Sequence, residues 1–310
     1  VKIIDFHCDV LYKMLKYPDI DFFRKDDRLD VTYSALRQVG MLMQVFAIYL
    51  PESFVPKRFQ QTVDVISLFR RKIMANPQII HVRSSEDLRA VQTERKLGAL
   101  LSLEGVDGLE GVVPNLEIIY QLGVRAVGIT WNYANWAADG IKEPRGGGFS
   151  LKGRELVREC NRLGMILDVS HLSVRGFWEL VEMTTRPFIA SHSNAFSVCA
   201  HPRNLRDDQI RAVIRLGGRI GVTFVPQFLS ARSGAKLKHV LQHIDHICAL
   251  GGEHYLGFGS DFDGIDEWTE GLEKAEQYGR LAEELLKHYK EEQVRGFLYQ
   301  NWYDFLEEQL

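Results

Sequence analysis

Lys2-Ile3-Ile4-Asp5-Phe6-His7-Cys8-Asp9 is the stretch that decides the fold. A short apolar run ends in a histidine and an aspartate two apart. On an extended chain both side chains point the same way. The figure recurs down the chain. Glu104 closes the run Gly98–Glu104, His171 closes Met165–His171, His192 closes Phe188–His192 and Asp261 closes Tyr255–Asp261. Three further runs, Met41–Leu50, Arg125–Thr130 and Arg219–Val225, bring the predicted strands to eight. Most are continuously apolar, as parallel strands buried on both faces are. Amphipathic stretches separate them, among them Leu151–Leu163, Arg175–Met183, Asp207–Leu216, Lys236–Leu250, Glu270–His288 and Glu291–Glu308. Gly123, Gly164, Gly217 and Gly251 stand where helix stops belong. Eight strand–helix units predict an α/β fold, a closed (β/α)8 barrel, with right-handed crossovers. In such a barrel the strand ends meet at one mouth, where the chemistry is kept.

The whole chain, 1–310, reads as one barrel domain, a size such barrels reach. Residues 51–97 form an insertion expected to be helical. Residues 131–150, with Gly146-Gly147-Gly148, form an irregular loop above the mouth, either a mobile lid or a solvent loop. Hydrophobic residues make up 45% and charged residues 25%, the balance of an ordinary globular protein. A net charge of -3 and no basic face argue against nucleic acid as a partner. The four cysteines, Cys8, Cys160, Cys199 and Cys248, lack C-x-x-C spacing and are expected as reduced thiols. No leader, membrane span or anchor pattern is read, so the expected location is the cytoplasm.

Three imidazoles and two carboxylates converging on one mouth suit a pair of divalent metals, which make a reactive water. Neutral imidazole is the commonest zinc ligand. An acid such as Glu104 at the end of a buried strand is costly unless paired or metal-bound. Its two oxygens allow it to bridge two ions. Asp168 and nearby hydroxyls are placed to fix an imidazole tautomer. Arg203, after the sixth run, suits a carboxylate ligand. Asp261 suits proton transfer, with Asp263 as its competitor. His239, His243 and His246, on one predicted helix, read as a solvated face; His81, His254 and His288 carry no signal. Cys8 faces away from His7 and Asp9 by alternation and reads as packing.

Taken together, Asp5-Phe6-His7-Cys8-Asp9, Ser102-Leu103-Glu104-Gly105, Asp168-Val169-Ser170-His171, Ser191-His192-Ser193-Asn194-Ala195, Arg203-Asn204-Leu205 with Asp207-Asp208, Gly259-Ser260-Asp261-Phe262-Asp263-Gly264, Glu270-Gly271-Leu272-Glu273 and Asn301-Trp302 resemble, in order, the membrane dipeptidase (renal dipeptidase) family of zinc peptidases in its short bacterial form. The resemblance implies a (β/α)8 barrel with two zinc ions. His7 and Asp9 would hold one, Glu104 would bridge, and His171 and His192 would hold the other. Arg203 would bind the carboxylate of a small dipeptide, and Asp261 would shuttle the proton. The family cleaves dipeptides, tolerates a D-residue at the C-terminal position, includes members that open β-lactam rings, and often dimerises. One departure stands out. Better-known members carry a histidine after a threonine at the end of the fourth strand, polarising the scissile carbonyl. Here the run is Thr130-Trp131-Asn132-Tyr133, leaving Asn132 or Tyr133 as substrate-binding donor. Losing such a donor without replacement costs roughly two to three orders of magnitude in rate.

The alternative is another barrel metallohydrolase acting on a cyclic or acylated amide. That class commonly shows H-x-H after the first strand and often a strand-four lysine. His7-Cys8-Asp9 and a strand-three glutamate disfavour it. No Gly-rich phosphate turn follows any strand, so a nucleotide cofactor is not expected.

Overall fold

The computed structural model describes residues 2–51 and 56–310. Eight parallel strands close into a barrel: β1 Ile3–Asp5, β2 Met41–Tyr49, β3 Leu97–Glu104, β4 Val124–Gly128, β5 Ile166–Asp168, β6 Ile189–Ala190, β7 Arg219–Val222 and β8 Leu256–Phe258. β1 pairs with both β2 and β8, and β2 pairs with β3, so no barrel edge is left open. Helices connect the strands and cover the outside. The eight expected strands are all present, but most are shorter than their apolar runs. The runs continue past the last ladder bond into the turns that carry the site residues.

Residues 51–97 are less uniform than the sequence predicts. They hold helices Arg58–Lys72 and Ser85–Thr93, and also a short strand, Ile79–His81, paired in parallel with Leu97–Ala99 at the start of β3. Residues 52–55 of this insertion lie outside the described residues. Gly123, Gly164, Gly217 and Gly251 all have positive φ, the backbone that ends a helix and that side chains with a Cβ resist.

Strand alternation sorts β1 and its continuation. Asp5, His7 and Asp9 face the barrel axis; Phe6 faces out and stacks on Trp302, ring centroids 3.9 Å apart. Trp302 belongs to the last helix, Asn301–Gln309, and packs so closely on Gly257 of β8 that a Cβ there would lie 2.3 Å from its Nε1. Asn301 Nδ2 donates to Leu256 O at 2.7 Å. The end of the chain is thereby fastened to the outside of β1 and β8. Cys8 is fully buried among apolar neighbours, as alternation predicts. His243 departs from the expected solvated face. It is fully buried; its Nδ1 accepts from Ala195 N at 3.0 Å and its Nε2 donates to Leu229 O at 3.2 Å. It sits on the buried stripe Val240, Ile244, Ile247 of helix Leu237–Ala249. No helix among the described residues is long and apolar enough to cross a membrane.

The glycine run above the mouth is tied down. Gly147 N donates to Asp139 Oδ2 at 2.7 Å, Ser173 Oγ donates to Gly147 O at 2.6 Å, and Phe149 N donates to Glu179 Oε2 at 2.9 Å. A Cβ on Gly148 would lie 2.4 Å from Glu179 Oε1, so close approach accounts for this glycine.

Candidate metal centre

Two strands end in the same local device. Asp5, last in β1, accepts the N–H of His7 at 3.2 Å, and Asp168, last in β5, accepts the N–H of Ser170 at 3.0 Å. Each aspartate bends the chain just past its strand and turns the following histidine inward. Asp5 also accepts Ser260 N at 2.9 Å and Ser260 Oγ at 2.6 Å, which fastens the β8 end to the β1 end.

Glu104 closes β3 and lies between imidazoles. Its Oε2 is 3.8 Å from His7 Nε2; its Oε1 is 2.9 Å from His171 Nε2 and 3.6 Å from His192 Nε2. His7 Nε2 is 3.4 Å from Asp9 Oδ2 and 3.7 Å from Asp261 Oδ1. Ligand-type atoms of His7, Glu104 and His192 therefore lie within 4.8 Å of one another, and so do those of His7, Asp9 and Asp261. His7, Asp9, His171 and His192 are all buried. His7 Nε2 and Asp9 Oδ1 are buried with no hydrogen-bond partner.

The outer contacts set the tautomers. His171 Nδ1 donates to Asn132 Oδ1 at 3.0 Å. His192 Nδ1 donates to Ser191 Oγ at 2.7 Å, and that hydroxyl donates in turn to Asp168 Oδ2. With both Nδ1 atoms protonated, both Nε2 atoms present lone pairs. These lone pairs face each other at 2.9 Å beside a glutamate oxygen. Only the Arg203 guanidinium, 3.0 Å from His171 Nε2, relieves this crowding of acceptors, and the arrangement suits a cation held between the donors. The mixed imidazole and carboxylate set thus fits divalent metal.

The charges point the same way. Burial pushes Glu104 up to about 8 and Asp261 up to about 7. Burial, reinforced by Arg203 and His7, drives His171 and His192 well below the ordinary imidazole range. Burial opposes the charge on His7, yet Glu104, Asp9 and Asp261 outweigh it and raise that group to about 10.

Above these groups opens a cavity of about 500 Å³. Arg203, 3% exposed, reaches into it; its Nη2 donates to His171 Nε2 at 3.0 Å, and its Nη1 has no partner. Burial lowers Arg203 to about 10. Phe228 lies 5.2 Å from the guanidinium, on its ring face. Asn132 lines the cavity but its oxygen is engaged by His171. Tyr133 is 49% exposed and lines a smaller neighbouring pocket rather than the main cavity. Asp263 faces away from the centre, against alternation. Both Asp261 and Asp263 have φ of 68°, which breaks the strand pattern. Asp263 instead accepts the N–H groups of Asp30 and Val31 at 2.8 and 3.1 Å. Lys142, His201, Asp266 and Glu267 also line the cavity. Sequence reading missed them because they come from loops, where no periodicity marks them.

A barrel whose mouth gathers three imidazoles and three carboxylates around orphaned donor atoms is a metallohydrolase of the β/α type. Comparison with known proteins narrows the class. A sequence model of the membrane dipeptidase family, peptidase family M19, matches residues 1–309, and the chain belongs to that family of metallo-dipeptidases. It is 35% identical over 270 residues to dipeptidase aclJ of Aspergillus oryzae, covering 83% of this chain and 64% of that protein, so it spans just under two thirds of the fungal relative. Its structure matches that of dipeptidase AC, a metallo peptidase of family M19, with a TM-score of 0.92 and 27% identity over 100% of this chain and 98% of the other. It also matches a metallo peptidase of Rhodobacter sphaeroides bound to a phosphinate mimic of the dipeptide L-Ala-D-Ala, with a TM-score of 0.91 and 26% identity, covering 100% and 99% of the two chains.

Proposed function

We propose that this protein hydrolyses the peptide bond of dipeptides, including those with a C-terminal D-residue, at a site loaded with two zinc ions. The observation that carries the reading is Glu104, whose two oxygens lie on either side between His7 and the His171–His192 pair. His7 and Asp9 would hold one ion, His171 and His192 the other, and Glu104 would bridge. When bound, the metal pair supplies a water of lowered pKa and polarises the scissile carbonyl. Arg203, with one free Nη1, holds the substrate's terminal carboxylate and so limits the enzyme to very short peptides. Asp261 takes the proton of the attacking water and passes it to the departing amine. Support for the D-residue comes from the L-Ala-D-Ala mimic in the Rhodobacter relative, a protein of the same fold over its whole length.

Hydrolysis of a matched panel of L-Xaa-L-Xaa and L-Xaa-D-Xaa dipeptides, with metal assayed on the same preparation, tests the reading. Turnover with about two metals per chain, lost on chelation and restored by zinc, is the expected result. Two metals with no dipeptide cleaved would reject it in favour of another amide substrate. Glu104→Gln should lose activity and metal together, and a fully loaded, fully active variant would sink the bridging role.

A further inference from the structure

Strand order fixes which loops face each other across the mouth. The loop after β4 lies opposite the loop after β8, and the loop after β6 lies between them. Lys142 comes from the first, Asp266 and Glu267 from the second, His201 and Arg203 from the third, and all line the cavity. The cavity is therefore cationic over β4 to β6 and anionic over β8.

The cationic side holds one charge more than a dipeptide's α-carboxylate needs. Arg203 is buried with an unpaired Nη1 and is suited to that carboxylate by itself. Lys142 makes no salt bridge among the described residues. Its place is set by the same turn that sets His171. Lys142 N donates to Asn132 O at 2.8 Å, and the preceding Ile141 N donates to His171 O at 2.7 Å.

We propose that Lys142 is a specificity-determining residue that selects dipeptides with a second carboxylate on the C-terminal side chain, that is Xaa-Asp and Xaa-Glu. The inference rests on the dipeptidase reading above. With the α-carboxylate on Arg203, a side chain of the same residue directed toward the β4 side enters the half of the cavity that Lys142 shares. A carboxylate there meets an unpaired ammonium; a neutral side chain gains nothing; a cationic one is repelled. Asp266 and Glu267, across the mouth, favour the free α-ammonium of the N-terminal residue and oppose an acidic side chain on it. The two walls thus read the order of the residues as well as their charge.

The test compares kcat/KM for Ala-Glu, its neutral isostere Ala-Gln, and Ala-Lys, using whichever C-terminal stereoisomer the zinc-loaded enzyme cleaves. Lys142 is exposed, so the expected Glu-over-Gln preference is modest, about three- to fivefold, and shrinks with added salt. In Lys142→Met the ratio should fall to about one, and in Lys142→Glu the order should reverse in favour of Ala-Lys. Cleavage with a Glu-to-Gln ratio of one or below in the unmodified enzyme overturns the proposal and leaves the dipeptidase reading standing. A preference that survives in Lys142→Met overturns the assignment to Lys142. Absence of cleavage of any dipeptide overturns both.

Discussion

Gly264→Ala tests the geometry of the carboxylates without removing a ligand. Gly264 is exposed, and its φ lies outside the left-handed region, so alanine carries little backbone penalty there. Space is the obstacle. A Cβ at this position would stand 2.2 Å from Asp9 Oδ2 and 2.7 Å from Asp261 Oδ1, where ordinary contact begins at 3.4 Å. The Asp9 carboxylate must retreat by roughly 1 Å, and displacements of that size at reacting groups cost about 100-fold in rate. We expect kcat/KM on the best dipeptide to fall about 100-fold, with metal at the His7–Asp9 position weakened first. Thermal stability should change little, because the strain falls on two carboxylates at the barrel mouth and not on the apolar core. Steady-state kinetics, metal analysis and a melting curve on one preparation separate these effects. A variant within threefold of the parent in kcat/KM, carrying both metals, would refute the claim that the positions of Asp9 and Asp261 matter to the reaction.

Two further predictions concern groups outside the ligand set. Asn132→Ala removes the acceptor of His171 Nδ1–H, so metal affinity measured by chelator competition should drop about 10- to 100-fold, whereas Asn132→Asp should keep most of it; equal affinity in the alanine variant would show that the ring is oriented by other contacts. Burial holds His243 down at about 4, against an ordinary 6.5. A depressed imidazole contributes stability that is full above the unfolded pKa and is lost as pH falls from 6.5 toward 4. Denaturant unfolding at pH 7 and pH 5 should therefore show a loss, of which about 2 kcal/mol belongs to this group. His243→Gln, less stable at pH 7, should show a pH 7 to 5 loss smaller by that amount; an identical loss would place the acid sensitivity elsewhere.

The barrel was legible because its strands are buried on both faces, so continuous apolar runs mark them without help from distant residues. The strand Ile79–His81 was not legible. Three residues carry no period, and only pairing with Leu97–Ala99 makes them a strand. His243 carried a readable signal, since it falls on the stripe of Val240, Ile244 and Ile247 at helical spacing. Its company of His239 and His246 on the same helix reads as a solvated face instead of as the buried side. The reciprocal brace between Asp30 and Asp263, 233 residues apart, has no local trace. It shows why alternation failed at Asp263: the loop after β8 is shaped by a distant backbone and by two positive φ angles, not by strand geometry.

The same contrast separates the metal-type residues from the rest of the site. A metal ligand must stand at a fixed depth above the barrel, and the strand end supplies that depth, so each proposed ligand falls at the close of an apolar run. At β1 and β5 an aspartate ends the strand and caps the turn, with the histidine two or three residues later. Asp5 and Asp168 follow this spacing because one carboxylate can accept the N–H two residues on and still reach a neighbouring strand: Ser260 for Asp5, Ser191 for Asp168. Each therefore fixes a histidine and joins two strand ends at once. Substitution of Asp5 or Asp168 would be felt through imidazole position, although neither side chain is among the metal-type donors. Lys142, His201, Asp266 and Glu267 obey no such spacing. Nothing in the barrel requires a given charge in those loops, so the proposed chemistry rests on the strand ends and the proposed choice of substrate on segments whose pattern only the closed fold brings together.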